Sequence, residues 1–331
     1  MSTILSNEWP TLATLARRMD SKGAIANIAE VLEKMNPMVE DMPFMEGNLP
    51  TGHKSVQRIT LPAGQYRAYN EGVNAEKSET EDITDNCAMM ESYAEVDMAL
   101  ADLSGNAKSF RYTEDLAFME GMSNTFSDNM IYANYAASPK KFNGFTVRYN
   151  SISTDQENRD FNVIDGGGSG SDNTSIWLVN WSPQYCFGIF PKGSKAGMQM
   201  KDLGQKTKVM DDGSQMEIYR SHYKWDHGLV IRDWRYVVRI ANIDYSDLAG
   251  GSAANLVNLL IDAQERIPTT GLSRPVLYCN RQILSYLRKQ IIAKSNVNLT
   301  FENVAGKRVT MFDGIPIRRC DSIMNTESTV S

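Results

Sequence analysis

The stretch SFRYTEDLAFMEGMSNTFSDNMIYANYAA, from Ser109 to Ala137, predicts one long amphipathic helix. Apolar side chains recur every three or four residues, which places them on one stripe of a helix with about 3.6 residues per turn. The stripe consists of Tyr112, Leu116, Met119, Met122, Phe126, Met130, Ala133 and Ala137. Thr113 fits an N-cap, because Glu114 and Asp115 follow where the helix dipole favours negative charge. Pro139 closes the segment.

The composition is that of a folded protein, with 331 residues, 42% hydrophobic and 22% charged. This length is enough for about two or three domains with a sizeable core. No stretch approaches about 18 consecutive apolar residues, and the N-terminus lacks the basic start and apolar run of a secretory signal. We therefore expect no membrane span and no membrane partner.

The net charge of -6 at pH 7 is unevenly distributed along the chain. Residues 71–102 carry ten acids against the single base Lys77, whereas residues 274–319 carry nine bases against Glu302 and Asp313. Opposed blocks of this kind pair either inside one molecule or between neighbouring molecules. Two solvated faces are the plainer interpretation of most of these charges.

Residues 1–50 are typical of an arm rather than of a domain. A helical stretch over residues 12–35 carries an apolar stripe, and Pro37, Pro43 and Pro50 then interrupt the chain. The segment is too short and too broken to enclose its own core. It needs a surface to lie against, either in the rest of this chain or in another copy.

Residues 53–97 alternate like an antiparallel strand pair with a long excursion between the strands. The first strand ends at the turn Pro62-Ala63-Gly64, an acidic linker covers residues 70–86, and a second strand covers residues 89–96. Turn residues and charge predict an exposed excursion with little core, which is either flexible or held by a partner. Deleting Gly64–Asp85 should then leave a folded chain with defective assembly.

The remainder divides into a β-rich section and a small mixed unit. Strand patterns run from Ser175 to Ile243, with a tight-turn signal at Asp212-Gly213. Beyond the AGGS junction the sequence predicts helices over 253–266 and 281–294 and strands over 275–280, 307–312 and 315–320. A polar tail ends the chain.

The sequence contains no pattern of a known catalytic or metal site. Four isolated cysteines form no CxxC pair, and the glycine run 166–170 lacks the Lys-Ser/Thr of a phosphate loop. His222, Asp226 and His227 fit no standard metal-ligand spacing. We therefore expect no catalytic residue, no cofactor and no metal, which shifts the interpretation towards a structural role.

Two local stretches and the order of elements resemble a known family. YKWDHGLVIRDWRYVVRIANI, from Tyr223 to Ile243, is similar to strand pairs of short-tailed-phage capsid proteins. VTMFDGIPIRRCD, from Val309 to Asp321, resembles the Phe-x-Gly-Ile-Pro strand of many capsid subunits. The whole chain resembles the major capsid proteins of tailed bacteriophages with the HK97-like fold, an α+β fold, and its length and arrangement resemble the epsilon15-like podovirus group.

The resemblance implies a division of the chain and a function. The division is an N-terminal arm (1–50), an extended E-loop (51–97), a P-domain (98–248) with a spine helix (109–137), an A-domain-like α/β unit (249–325) and a tail (326–331). The implied function is a shell subunit, made in the host bacterial cytoplasm and found in the virion, that forms hexamers and pentamers around double-stranded DNA. Negative net charge fits a shell that confines DNA without gripping it. Decoration, scaffolding and portal proteins are further partners that the resemblance admits.

Charged residues of the E-loop and of the basic block are the candidates for contacts between subunits. They are Lys54, Arg58, Arg67, Lys77, Glu79, Glu81, Asp82, Arg318 and Arg319. Some relatives join subunits through a Lys–Asn isopeptide bond, but no Asn partner can be identified here for Lys54 or Lys77. We therefore expect the subunits to be held without covalent bonds.

Two other classes of protein remain as alternatives. An encapsulin-like compartment shares the fold but encloses enzyme cargo, so a cargo-binding groove would identify it. A soluble enzyme or binding domain predicts a monomer or small oligomer with a pocket, and an excursion packed against its own core.

Overall fold

The structure is a computed structural model that describes residues 37–250, 255–268, 273–292, 299–304 and 307–331. The described chain folds into two compact units. Unit 1 comprises Met89–Ser127 and Gly197–Asp226. Unit 2 comprises residues 37–88, Asp128–Ala196 and His227–Ser331, with the gaps just given. The predicted helix over residues 12–35 lies outside the described part of the chain.

Helices and strands alternate along the chain in the mixed manner expected for an α+β protein. The helices are α1 (Met38–Asp41), α2 (Met98–Leu103), α3 (Ala107–Tyr132), α4 (Phe145–Arg148), α5 (Tyr245–Gly250), α6 (Leu256–Glu265) and α7 (Arg281–Ile292). The strands are β1 (Phe44–Glu46), β2 (Gly52–Thr60), β3 (Glu79–Asp97), β4 (Val163–Asp165), β5 (Asn173–Trp181), β6 (Cys186–Phe190), β7 (Gln199–Val209), β8 (Gln215–Ile231), β9 (Val237–Asp244), β10 (Arg274–Cys279), β11 (Leu299–Val304), β12 (Lys307–Phe312) and β13 (Ile315–Arg319).

Helix α3 confirms the long helix, but it begins two residues before the predicted start at Ser109. The side chain of Asn106 accepts a hydrogen bond from the amide of Ser109 at 3.1 Å, which caps the first turn. Thr113 lies inside the helix, where its hydroxyl donates to the carbonyl of Phe110 at 2.8 Å. The prediction of Thr113 as the N-cap is therefore wrong.

The same helix ends at Tyr132 and not at Ala137 as predicted. The side chain of Asn134 accepts hydrogen bonds from the amides of Ala136 and Ala137 at 2.9 and 3.4 Å. Asparagine side chains that bond to nearby backbone amides compete with helical hydrogen bonding, so the chain turns here, well before Pro139.

The predicted apolar stripe is buried only along the second half of α3. Met122, Phe126 and Met130 are buried, whereas Tyr112 is 60% exposed and Leu116 is 37% exposed. In the first half Phe110, which lies off the stripe, is fully buried. The three-to-four periodicity therefore predicted the helix correctly but misplaced the buried face of its first turns.

Unit 2 is organised around β5, in which every residue is buried. Strand β10 pairs with it antiparallel, β13 pairs with β10 in parallel, and β9 lies antiparallel on the other edge of β5. Ile176 and Leu178 face an aliphatic core that includes residues of α6 and α7. Trp177 and Trp181 point the other way and contact Phe145 at ring-centroid distances of 5.5 and 6.1 Å. Because side chains alternate along a strand, β5 contributes to the aliphatic core on one face and to the aromatic contacts with Phe145 on the other.

Strands predicted beyond the junction are confirmed in unit 2. Strands β12 and β13 join through Asp313 and Gly314, whose φ values of 46° and 78° are those of a tight hairpin turn. The helices predicted over 253–266 and 281–294 correspond to α6 and α7. Local periodicity was a sufficient signal for α6 and α7, because both helices contribute buried residues to the same aliphatic core.

Unit 1 contains α2, the first part of α3 and the hairpin of β7 and β8. Val96, Ala101 and Phe110 form a small core. Phe126 stacks on Trp225 with ring centroids 4.4 Å apart. The hairpin turns at Gly213, with φ of 82°, as the Asp212-Gly213 signal predicted.

Candidate functional site

Strands β2 and β3 form an antiparallel hairpin where the E-loop was predicted. Their pairing runs from Gly52 opposite Asn86 to Thr60 opposite Glu79. The acidic residues from Glu79 onwards were predicted as linker, but they belong to a strand because β2 supplies their backbone partners. That part of the prediction is wrong, whereas the strand over residues 89–96 is confirmed within β3.

The tip of the hairpin, residues 61–78, is exposed along its whole length. Its own contacts shape it: the carboxylate of Glu76 accepts a hydrogen bond from the side chain of Gln65 at 2.6 Å. Tyr66 and Tyr69 are fully exposed to solvent. Exposed aromatic side chains on a projecting element are typical of a surface that binds another molecule.

Charged candidates on the hairpin have partners within the chain and remain on its exposed surface. Lys54 Nζ lies 2.6 Å from Asp82, and Lys77 Nζ lies 3.3 Å from Glu79. Arg67 donates to the carbonyl of Glu71 at 3.1 Å. Exposed pairs of this kind contribute little to subunit stability, about 0–1 kcal/mol, so the hairpin can exchange them for other partners.

Two further candidates, Arg58 and Glu81, lie at exposed positions of the paired strands. Arg58 is opposite Thr80, and Glu81 is opposite Gln57. Neither position is buried by the hairpin, so both side chains are available to a neighbouring surface. Their role between subunits stays a prediction.

The base of the hairpin is fixed by buried polar contacts in unit 2. Asp85 on β3 accepts from Arg148 Nη2 at 2.7 Å, and Arg148 also donates to the carbonyl of Leu229 at 3.1 Å. A side chain at Gly52 would approach the carbonyl of Asp85 to 2.0 Å, so the close approach of the strands requires glycine here. The hairpin is therefore anchored at its base and exposed at its tip.

The basic candidates Arg318 and Arg319 pair with acids outside the block 71–102. Arg318 contacts Glu40 at 3.3 Å and Asp41 at 3.0 Å, both in α1. Arg319 contacts Asp321 at 2.5 Å. The strand that resembles the capsid Phe-x-Gly-Ile-Pro segment thus holds α1 in place, and its contacts with other subunits stay a prediction.

Asp41 ends a buried hydrogen-bond chain in unit 2. Trp181 Nε1 donates to the hydroxyl of Tyr278 at 2.8 Å, and that hydroxyl donates to Asp41 Oδ2 at 2.7 Å. Burial raises the pKa of Asp41 above its ordinary value, although the Tyr278 hydrogen bond and the Arg318 charge act in the opposite direction.

Asp41→Asn is expected to remove a pH dependence of stability. Because the pKa of Asp41 is raised in the folded state, its contribution is fully present below the unfolded pKa of about 3.8 and is lost as the pH rises through the folded pKa. The stability of the wild type relative to Asp41→Asn should therefore fall as the pH rises above about 3.8. Urea unfolding across this range measures the difference.

Asp202→Asn is the matched control, because the stability of the wild type relative to this variant should change with pH in the opposite direction. The hydrogen bond from Arg111 lowers the pKa of Asp202, so its contribution is present above the unfolded pKa and is lost as the pH falls. Equal slopes for the two variants would contradict the assignment for Asp41.

An open groove of about 490 Å³ lies between α3 and β3 in unit 1. Its lining is mostly apolar and includes Met90, Phe118 and Met122, with Glu91 as the charged side chain. A single carboxylate does not make a general acid–base pair.

Among the described residues, no three or more His, Cys, Asp or Glu side chains are arranged to hold a metal ion. No helix in this part of the chain is long and apolar enough to cross a membrane.

The sequence interpretation missed two buried ion pairs that the structure brings together. Arg148 meets Asp85 across 63 positions of sequence, and Arg239 meets Glu327 across 88. Arg239 is the one charged residue in the strand sequence VVRIANI. A single charge inside such a strand is the signal that a buried partner exists, although it does not say where the partner lies.

The model of the family "Major capsid protein GP7" matches residues 20–331. The chain belongs to this family of major capsid proteins. A chain of the bacteriophage Epsilon15 structure, derived from cryo-EM and modelling, is 34% identical to this major capsid protein. The match covers 99% of each chain with a TM-score of 0.80.

A second solved structure supports the fold of this major capsid protein. The capsid of bacteriophage JBD30 is 11% identical, with a TM-score of 0.50 over 94% of this chain and 98% of that chain. At this identity the likeness shows the fold alone. The search of curated proteins found no match.

The α+β HK97-like fold and the resemblance to epsilon15-like capsid proteins are thereby confirmed. The major capsid protein is a structural subunit of an icosahedral bacteriophage shell and a component of the virion. The encapsulin-like compartment and the soluble domain are not favoured. The division into arm, E-loop, P-domain and A-domain stays a prediction.

Proposed function

We propose that this subunit forms the hexamers and pentamers of a shell that encloses double-stranded DNA, and that the β2–β3 hairpin holds neighbouring copies together. The observation that carries the proposal is the contrast between the anchored base of the hairpin and its exposed tip, where Tyr66 and Tyr69 are fully accessible. A projecting element with this composition loses apolar exposure when it lies on another copy. Its surface pairs, Lys54–Asp82 and Lys77–Glu79, can exchange partners there.

The net charge of -6 is consistent with a shell that surrounds DNA without binding it tightly. A surface that neutralises many phosphates carries an excess of Lys and Arg, and its affinity falls steeply with salt. Arg318 and Arg319, from the basic block, already have carboxylate partners in their own subunit. We propose no catalytic role and no sequence-specific DNA contact for the chain. Portal, scaffolding and decoration proteins would be additional partners, and synthesis in the bacterial host cytoplasm belongs to the same proposal.

Negative-stain microscopy of the purified full-length protein, with size-exclusion chromatography, tests the proposal. Closed shells of uniform diameter, with five- and six-fold clusters in class averages, are the expected result. Shells isolated from infected cells should contain double-stranded DNA. A monomer that stays small at high concentration, with and without a scaffolding protein, would contradict self-assembly, and shells filled with protein instead of DNA would favour a compartment.

A further inference from the structure

The glycine-rich loop between β4 and β5 carries a residue pattern that shell formation does not explain. Residues 167–172 have the sequence Gly-Gly-Ser-Gly-Ser-Asp. The order Gly-Gly-x-Gly-x-Asp is that of the turns that bind Ca²⁺ in parallel β-helix repeats. In those proteins several such turns stack on one another, whereas the sequence of this chain contains one. A single turn needs further ligands from another part of the fold.

Asp244, the last residue of β9, supplies a second carboxylate beside this loop. A Cβ atom at Gly170 would stand 2.6 Å from Asp244 Oδ2 and 3.0 Å from Asp172 Oδ1, so both oxygens converge on one point. The other oxygen of each carboxylate accepts a hydrogen bond from the backbone amide of Ser246, at 3.1 Å for Asp172 and 2.9 Å for Asp244. Two carboxylates held this close repel each other, and a cation bound by both removes the repulsion.

The side chain of Asn173 is an independent sign of a ligand at this loop. Asn173 is 0% exposed and lies opposite Asp244 in the β5–β9 register. Its Nδ2 atom donates to the carbonyl of Gly170 at 2.9 Å, and its Oδ1 atom lies 2.8 Å from the position of a Cβ atom at Gly168. That oxygen accepts no hydrogen bond from the described residues. A buried acceptor without a donor costs free energy, and a cation on the inner side of the loop would satisfy it.

We propose that Asp172, Asp244 and the glycine-rich loop form a binding site for a calcium ion, with the amide oxygen of Asn173 facing it. Oxygen ligands select hard cations, and two carboxylates exclude an anion such as phosphate. Ca²⁺ accepts an irregular shell of about 6–8 oxygens that includes water, whereas Mg²⁺ demands a nearly ideal octahedron. Because Asp172 and Asp244 lie far apart in sequence, no local spacing indicates the pair, and the sequence predicted no metal.

A calcium ion at this site would connect the loop to the end of β9 and the start of β5. The same region holds the C-terminal residues, because the carbonyl of Asn173 accepts from the amide of Glu327 at 2.9 Å and its Nδ2 donates to the hydroxyl of Thr329 at 3.2 Å. Unfolding separates the ligands, so the ion binds the folded state. With calcium at about ten times its Kd, the equilibrium constant for unfolding should fall about tenfold.

Calorimetric titration of the unassembled full-length protein with calcium chloride, at constant ionic strength, is the experiment. We expect one ion per chain with a Kd on the order of 0.1–1 mM, and magnesium chloride should bind at least about tenfold more weakly. No calcium binding up to about 10 mM would overturn the proposal. Because the titration needs no shell, its failure can be distinguished from a failure of assembly.

Two variants locate the bound ion. Asp172→Asn removes one carboxylate charge. Gly170→Ala places a methyl group where the two oxygens converge and so pushes the carboxylates apart, and Gly170 does not have a left-handed φ, so its backbone accepts alanine. Each variant should weaken calcium binding by more than about tenfold. Wild-type affinity in both variants would overturn the proposal.

Asp212→Asn is the matched control, because Asp212 makes the same local hydrogen bonds in the β7–β8 turn of unit 1. Its Oδ1 accepts from the amide and hydroxyl of Ser214 at 2.9 and 2.6 Å, as Asp244 Oδ1 accepts from those of Ser246 at 2.9 and 2.8 Å. This variant should keep the full calcium affinity, and an equal loss in it would refute the assignment.

Hydrogen exchange of the wild type, with calcium chloride and with a chelator, decides the question if the site variants fail to fold. Slower exchange with calcium at the amides of residues 166–172 and 244–247 would support the site. Protection confined to other segments would place the ion elsewhere and refute it.

Discussion

Glu327→Ala is expected to lower the free energy of unfolding by about 3–5 kcal/mol, because it leaves a buried guanidinium without its partner. The carboxylate of Glu327 lies 2.9 Å from Arg239 Nη2, and both side chains are 5% exposed. With so little access to solvent, Arg239 gains little from water in place of the lost carboxylate. The variant should therefore behave like those in which one half of a buried ion pair is removed.

Glu327 has two other partners that the substitution also deprives of an acceptor. The hydroxyl of Tyr132, at the end of α3, donates to Glu327 Oε1 at 2.5 Å, and the hydroxyl of Ser175 on β5 donates to Oε2. Arg239 itself keeps a bond from Nη1 to the carbonyl of Tyr149 at 2.7 Å. Because the carboxylate joins α3, β5 and β9, its loss affects three elements of unit 2 together.

Chemical denaturation of Glu327→Ala, Arg239→Met and the double variant measures this effect. The double variant should be less destabilised than the sum of the single variants, since neither charge is then left alone. Arg281→Met is the matched control, because Arg281 is 68% exposed in its pair with Asp321 and should change stability by less than about 1 kcal/mol. A loss of that small size for Glu327→Ala would show that the buried network is not needed for stability.

This network also corrects the polar tail predicted for residues 326–331. Glu327 and Val330 are buried, and the backbone amide of Glu327 donates to the carbonyl of Asn173 at 2.9 Å. The amide of Val330 donates to the side chain of Asn242 at 2.8 Å. Polar residues that bond within a fold have the same composition as those of a solvated tail, so composition alone could not distinguish the two.

Elements with a clear local apolar pattern were predictable, because that pattern lies within the element itself. Helices α6 and α7 and strands β10, β12 and β13 appear where the pattern placed them. The ends of α3 were not predictable from periodicity, since they depend on hydrogen bonds of single side chains, Asn106 and Asn134. Propensity and period determine that a helix forms, whereas capping side chains determine where it stops.

The hairpin shows the same division between local and distant contacts. The pair of Lys54 with Asp82 lies within the β2–β3 hairpin, and both side chains were recognised as exposed charges although Asp82 was predicted in a linker and not in a strand. The anchoring pair of Arg148 with Asp85 joins distant segments, and nothing in the local pattern of either segment indicates the other. Surface candidates were therefore identifiable from sequence, and the buried anchor was not.

Replacing residues 61–78 by Asn-Gly is expected to reduce shell formation strongly while leaving the subunit folded. Thr60 and Glu79 are paired neighbours at the top of the hairpin, and Asn-Gly is a favoured two-residue hairpin turn. The replacement keeps Asp85, whereas the broader deletion of Gly64–Asp85 would also remove the partner of Arg148. The free energy of unfolding should therefore stay within about 1 kcal/mol of the wild type.

Assembly should fall by more than about tenfold, because the two exposed aromatic side chains of the tip are lost in every copy and one such anchor is worth about 2 kcal/mol. Sedimentation measures the shell fraction, and circular dichroism with urea unfolding measures the fold. Tyr66→Ser with Tyr69→Ser keeps the length of the tip and separates its aromatic contribution from its reach. Normal shells from the Asn-Gly variant would show that assembly does not require the tip. An unfolded Asn-Gly variant would mean that the tip stabilises its own subunit instead of binding a neighbour.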